Sequence, residues 1–303
     1  MKKYLFILAA TAALTSCYDD YVKDNDTQAV GFANQTDVRS VIVGEGMKFS
    51  TGVALGGTIE NSVDRPISFE IDYSLVSDAT LQAMKTHVFS YIQNLTRPLG
   101  SLEALSAEEY KLLPEGGTDG RVTIRRGSHL GQIVIKIDSA KFLADASRTL
   151  PKFVIPLRLT DGNGTDLIAG KETSVIGVRY ENMLFGNYWH GETVVTDASG
   201  AEVNRIAYYT TVPQSETRVW TLTTVAPFSL TANAVGGELN GSKAQLKLTQ
   251  GADGAITVSA ADGADYAVEA DGECSFNRAK LLQNRRIYLK YKYEKDGLIY
   301  HAT

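Results

Sequence analysis

The sequence predicts an all-β chain in two domains, a β-sandwich with a short helical insertion followed by an antiparallel, barrel-like domain. Three observations carry this. Short apolar or alternating runs recur from Ala29 to the end, punctuated by glycine-rich turns. Helical spacing is confined to one stretch after Asp78 and a brief one after Ser106. The chain has 303 residues, well beyond the ~100 that one sandwich needs, so two domains are expected.

The chain begins with a basic Met1-Lys2-Lys3, an apolar stretch over residues 4–14, and Leu14-Thr15-Ser16-Cys17. That is the layout of a secretory signal peptide, and the apolar stretch is too short for a transmembrane helix of ~20 residues. Leucine, two small residues and then cysteine resemble the lipobox of bacterial lipoproteins. The resemblance implies cleavage before Cys17, lipid on its thiol and acylation of the new amino terminus. Several acyl chains hold a folded domain on a membrane without a spanning segment. Residues 1–16 are thus expected to be a leader and residues 17–28 an acidic tether. Cys17-Tyr18-Asp19-Asp20 is similar to the export signal of Bacteroidota-type outer-membrane lipoproteins that face the cell exterior.

Composition sets further limits. The net charge is −5, and the leader holds two lysines and no acid, so the mature chain is more acidic still. An acidic surface argues against nucleic acid as partner. Of the two cysteines, lipid would occupy Cys17, leaving Cys274 as a small buried residue without a disulfide partner.

The first domain is expected over residues 29–182. Strands are predicted at residues 38–43, 47–55, 66–75, 121–125, 131–137, 153–159 and 173–180. In Ile67, Phe69, Ile71 and Tyr73 every second residue is apolar, the mark of a half-buried antiparallel strand. Leu81, Met84, Val88, Tyr91, Ile92 and Leu95 follow helical spacing after Asp78. Ser106-Ala107-Glu108-Glu109 reads as a capping box opening a second short helix before Pro114. Seven strands with turn signals between them argue for an immunoglobulin-like sandwich, one end covered by the helical insertion.

Phe185-Gly186-Asn187-Tyr188-Trp189-His190-Gly191 opens the second domain, residues 183–303. Strands are predicted at residues 205–212, 217–225, 244–249, 255–259, 266–269, 286–294 and 298–302. Within residues 286–294, Ile287, Leu289, Tyr291 and Tyr293 share one face while Lys290, Lys292 and Glu294 share the other. Glu294-Lys295-Asp296-Gly297 signals a tight hairpin.

Several of these motifs resemble one family. Residues 110–116, Val122-Thr123-Ile124 with Gly127, Gly131-Gln132-Ile133 with Ile137-Asp138, and residues 153–157 are similar to the N-terminal domain of Bacteroidota surface lipoproteins. A related domain precedes the barrel of chitinase-type surface endoglycosidases. Residues 185–189, 220–222 and 285–289 resemble the C-terminal, calycin-like β domain of the same lipoproteins, some of which run on beyond the position of Thr303. The family is associated with polysaccharide utilisation. The resemblance implies non-catalytic glycan binding at the outer membrane, beside a transporter or glycosidase. A structural or assembly role, as a scaffold or fimbrial-type subunit, is the alternative.

No catalytic motif stands out. Gly-x-Ser-x-Gly, His-Glu-x-x-His, Cys-x-x-Cys and phosphate-binding loops are absent, and the four histidines are scattered. Asp161-Gly162-Asn163-Gly164-Thr165-Asp166 has calcium-like spacing, but its sixth position is Asp166 where an EF-hand needs glycine, so a hairpin loop explains it better. No metal, cofactor or catalytic residue is therefore assigned. Sugar recognition calls for flat aromatic faces with planar polar groups beside them. Tyr188, Trp189 and His190 form the favoured cluster, with Trp220, Tyr208 and Tyr209 behind it. The competing expectation is that alternating Tyr and Trp in strands fill the core.

Overall fold

The computed structural model describes residues 27–113, 120–207, 219–236, 239–279 and 281–303. The leader, Cys17, Tyr208 and Tyr209 lie outside them. Among the described residues, no helix is long and apolar enough to cross a membrane. The chain is all-β and divides into two compact units, one ending at Arg179 and the other beginning at Tyr180. Ile42–Glu45 and Leu143–Thr149 group with the second.

The first unit builds a sandwich. Its strands are β1 (Ala29–Phe32), β2 (Thr36–Ile42), β3 (Lys48–Gly56), β4 (Arg65–Ile71), β5 (Glu103–Ala104), β6 (Tyr110–Leu112), β7 (Arg121–Ile124), β8 (Leu130–Ile137), β9 (Phe153–Asp161), β10 (Asp166–Leu167) and β11 (Thr173–Glu181). One sheet runs β10-β1-β3-β8-β6; the other runs β2-β11-β9-β4-β7, with β5 alongside β9. Strict alternation in β8 buries Ile133, Ile135 and Ile137 while Gln132 and Lys136 stay in water. Each such side chain contributes roughly 1.5–3 kcal/mol by leaving water. The immunoglobulin-like alternation read from the sequence thus appears as two facing, half-buried sheets.

The insertion differs from expectation in two places. The helical spacing after Asp78 is realised as two helices, α1 (Asp78–Lys85) and α2 (Ser90–Thr96). Ser77 caps α1 through a side-chain bond from Thr80 N, and α1 stops at Thr86, whose hydroxyl donates to Gln82 O at 2.8 Å. Leu81, Met84 and Ile92 still reach one apolar cluster, with Val38, Val154 and Val175 from the sheet. The second expected helix does not form. Ser106 to Glu109 is a turn, closed by Glu109 N donating to Ser106 O at 2.9 Å, and β6 follows, pairing with β8. A buried Tyr110 opposite Ile137 outweighs the local capping preference. The predicted strand over residues 66–75 also ends early, at Ile71, because Asp72 caps a short turn by accepting from Ser74 N.

The Asp161 loop closes on itself. Asn163 N donates to the Asp161 carboxylate at 2.8 Å, and Asn163 Nδ2 donates to Pro66 O at 2.9 Å. A Cβ on Gly162 would lie 1.8 Å from Thr165 O, so only glycine fits the turn.

The second unit pairs two five-stranded antiparallel sheets around one core. Its strands are β12 (Gly186–Trp189), β13 (Glu192–Thr196), β14 (Glu202–Ala207), β15 (Val219–Ala226), β16 (Ser229–Ala232), β17 (Ala234–Val235), β18 (Leu239–Asn240), β19 (Leu246–Gln250), β20 (Ile256–Ala260), β21 (Glu269–Ala270), β22 (Ser275–Phe276), β23 (Ile287–Tyr288), β24 (Tyr291–Lys295) and β25 (Leu298–Ala302). One sheet runs β12-β15-β16-β19-β20, the other β14-β13-β25-β24-β21. Trp220, Leu222, Leu230, Leu246 and Leu248 from the first sheet meet Tyr291, Tyr293 and Ala302 from the second. The hairpin at Asp296-Gly297 holds both residues at positive φ, 55° and 74°, as a two-residue turn requires.

The strand expected over residues 286–294 is broken. Ile287 and Tyr288 pair with β22, whereas β24 pairs with β21 and β25. Between them, Lys290 N donates to Cys274 Sγ at 3.2 Å, and Cys274 is half-buried at the rim of the core, more exposed than its composition suggests. Tyr291 and Tyr293 point inward as the alternation predicts. The strands β13 and β16, short and rich in threonine, carried too weak a pattern to be read.

Candidate functional site

The stretch Gly186-Asn187-Tyr188-Trp189 forms the edge strand β12, antiparallel to β15, with Tyr188 opposite Trp220 and Trp189 opposite Val219. Successive side chains of a strand leave on opposite faces, and here that decides the role of each aromatic. Tyr188 turns inward and packs on the core, where burial raises its phenol pKa. Trp220 is 6% exposed; its indole Nε1 donates to Gly236 O at 3.1 Å. His190 is likewise 6% exposed, its ring centroid 4.6 Å from that of Trp220. Burial pulls the His190 pKa down to about 4, so the imidazole is a neutral core ring.

The expected cluster therefore separates. Tyr188, His190 and Trp220 serve the core, and Trp189 alone of the described members stands in water, 58% exposed. Trp220 as a ligand contact is corrected by its own strand: Trp220 and Leu222 share parity with the apolar set, Thr221 and Thr223 with the polar one. The same reading was available from the sequence.

Around Trp189 the outward-facing neighbours on β12 and β15 are short and uncharged. Asn187, two residues away on the same face, accepts a hydrogen bond from the Thr221 hydroxyl at 3.0 Å. Asn233 Oδ1 accepts from Thr221 N at 3.0 Å. Beyond them the registers Thr223↔Thr231 and Thr249↔Thr257 carry short hydroxyl side chains across the sheet, and Thr231↔Lys247 adds one cation. An exposed indole beside ordered amides and hydroxyls can stack on the C–H face of a pyranose while the polar groups meet its hydroxyls. No sequence signal marked Asn187, Thr221 or Asn233, because threonine and asparagine on a strand look like ordinary solvated positions.

Two other features lie in this unit. A shallow cavity of about 290 Å³ is lined by Leu239, Lys243, Ala244, Asp265, Tyr266, Glu294 and Lys295. Its wall is ion-paired, Lys243 to Asp265 at 3.2 Å, and the Tyr266 hydroxyl donates to Gln245 O at 2.5 Å. On the other sheet, His301 Nδ1 lies 2.8 Å from the Asp271 carboxylate and Nε2 lies 3.2 Å from Thr196 Oγ1. A carboxylate accepts only, so Nδ1 carries a proton and donates to Asp271, while Nε2 faces the Thr196 hydroxyl. The order hydroxyl, imidazole, carboxylate is that of a hydrolase triad, here on an open strand surface. Among the described residues no group of three or more His, Cys, Asp or Glu comes together as a metal site.

No family model matches the sequence, and no curated protein matches it. Its fold has counterparts among solved structures. A Bacteroides ovatus protein of unknown function superposes with a TM-score of 0.61 at 20% identity, over 91% of this chain and 92% of that one. A Bacteroides ovatus multidomain protein including DUF1735 gives a TM-score of 0.43 at 16% identity, over 90% and 92% of the two chains. A third Bacteroides ovatus protein, provisionally described as carbohydrate-binding, gives 0.33 at 14% identity, over 88% and 80%. The chain thus shares its two-unit, all-β architecture with a Bacteroides ovatus protein of unknown function over nearly the full length of both.

Proposed function

We propose that this protein binds glycans without turning them over, using the outer face of the β12-β15-β16-β19-β20 sheet at its β12 edge, where Trp189 stands. The observation that supports this is the exposure of Trp189, 58%, on a regular strand whose next-door aromatics are all committed to the core. An indole face open to water beside ordered polar groups is available to stack on a ligand. Its neighbours Asn187, Thr221 and Asn233 are neutral and planar or short, which suits a neutral saccharide better than a charged ligand.

The lipobox-like Leu14-Thr15-Ser16-Cys17 adds the address. In this reading Cys17 carries lipid, the acidic tether keeps the domains clear of the bilayer, and the protein captures oligosaccharide outside the outer membrane for a transporter or glycosidase. Palmitate labelling of the expressed full chain, compared with Cys17→Ala, tests the anchor. A glycan array probed with the soluble mature chain and with Trp189→Ala tests the site; retention of the same glycans by both would remove it. Strand addition by a protein partner at the β14 edge receives less support, because β14 carries Glu202 and Arg205 bound to each other at 2.8 Å, and charged edges oppose pairing.

A further inference from the structure

The first unit holds a second exposed aromatic surface, on the segment that joins α1 to α2 and the first turn of α2. Phe89 is 48% exposed and Tyr91 49%, and their rings lie nearly parallel, 16° apart, with centroids 6.0 Å apart. His87 continues the row, its ring 5.1 Å from that of Phe89. We infer that Phe89 and Tyr91 form a second saccharide-stacking platform, for a neutral oligosaccharide of two or more sugar units.

The fold does not ask for the Phe89 ring. Phe89 occupies the N-cap of α2 and makes no side-chain capping bond there. Ser, Thr, Asp or Asn at that position would stabilise the helix by about 1 kcal/mol. A half-exposed phenylalanine gives up that capping and returns little burial.

The rings are also held in place before any ligand arrives. Phe89 N donates to His87 Nδ1 at 3.0 Å, and Gln93 Nε2 donates to His87 O at 2.5 Å, fixing the segment. The Tyr91 hydroxyl donates to the Asp37 carboxylate at 3.1 Å, and Asp37 is 2% exposed, so the ring is tied to the body of the sheet. Preorganised rings lose little entropy on binding.

Charge decides the class of ligand. Asp37 is matched by Arg39 at 2.8 Å, so the ion pair beside Tyr91 adds no net charge. The negative faces of the aromatic rings complement the electropositive C–H face of a pyranose. A surface for anionic lipid would instead need unpaired cations beside the rings. Tyr91 Oη, already a donor to Asp37, still accepts from a sugar hydroxyl, and the Arg39 guanidinium, 41% exposed, offers further donors.

The test uses the whole mature chain and its variants Phe89→Ala/Tyr91→Ala, Tyr91→Phe and Trp189→Ala, each checked by thermal melting. Probes are neutral polysaccharides (mannan, xylan and mixed-linkage β-glucan) in affinity electrophoresis, and phosphatidylcholine–phosphatidylglycerol vesicles in sedimentation. The double variant should lose about tenfold or more in polysaccharide affinity while still folded, its melting temperature lowered by the lost Asp37 bond as in Tyr91→Phe, which retains most of the affinity. Unchanged affinity in the double variant, with Trp189→Ala impaired, would overturn this platform and leave the Trp189 site standing. The reverse pattern would keep the platform and remove the Trp189 site. Sedimentation with vesicles that depends on Phe89 and Tyr91, with sugar affinity unaltered, would overturn the platform in favour of a lipid surface. Failure of the native chain to bind any polysaccharide would overturn both sites.

Discussion

Trp220 and Tyr291 grip the same residue from two sides. Trp220 donates its indole N–H to Gly236 O at 3.1 Å, while Tyr291 Oη accepts from Gly236 N at 2.8 Å. The two rings stand 6.4 Å apart, one from each sheet. Gly236 adopts φ +52°, and a Cβ there would come within 2.6 Å of Tyr293 Oη. Trp220→Ala should therefore destabilise the second unit by roughly 3–5 kcal/mol, the cost of removing a buried aromatic. Gly236→Ala should lower the melting temperature too, through strain and collision. Chemical denaturation of both variants against the native chain checks this.

Trp189→Ala should behave oppositely to Trp220→Ala. Its side chain faces water, so the change in stability is expected within about 0.5 kcal/mol. Glycan retention should fall while the melting curve stays put. A matched loss of both quantities would show Trp189 to be structural.

His190 makes the second unit acid-sensitive. Its folded pKa is about 4, depressed by burial below the usual 6.5, so the unfolded chain takes up the proton first. The neutral ring's contribution is complete above pH 6.5 and is lost as pH falls toward 4, up to ~3 kcal/mol at full depression. Replacing His190 with Phe should flatten the fall in stability between pH 6.5 and 4, as followed by denaturant midpoints. An equally steep fall in that variant would exclude His190 as the cause.

The Thr196–His301–Asp271 chain is expected to fasten strands and the loop after β21, with no hydrolysis. His301→Ala should cost about 1 kcal/mol for the lost hydrogen bonds. Acetyl-ester and aryl-glycoside substrates should be turned over no faster by the native chain than by Thr196→Ala. Turnover abolished in both Thr196→Ala and His301→Ala would replace the binding reading with an enzymatic one.

Alternation made most of the strands readable. In β8 burial follows the apolar alternation residue by residue, and in β15 and β24 it follows through Trp220 and Leu222 and through Tyr291 and Tyr293. The split between α1 and α2 could not be read, because Val88 and Tyr91 keep helical spacing although Val88 is 83% exposed. The helix mistakenly expected after Ser106 shows the other failure, a correct local signal overruled by pairing with β8. The aromatic site was half visible: Trp189 was named, but beside residues whose parity assigned them to the core. Phe89 was hidden because exposure at a helix N-cap leaves no mark on periodicity.

The parity of Tyr188, Trp189 and His190 has an evolutionary corollary. Along β12 and its partners, the letters that keep the domain folded and the letters that meet the outside world are interleaved, one for one. Drift can rewrite the outward half freely, changing what the surface presents, while the inward half stays untouched. A single inserted residue ahead of Tyr188 would do the opposite, exchanging the two halves and burying Trp189 where the imidazole now sits.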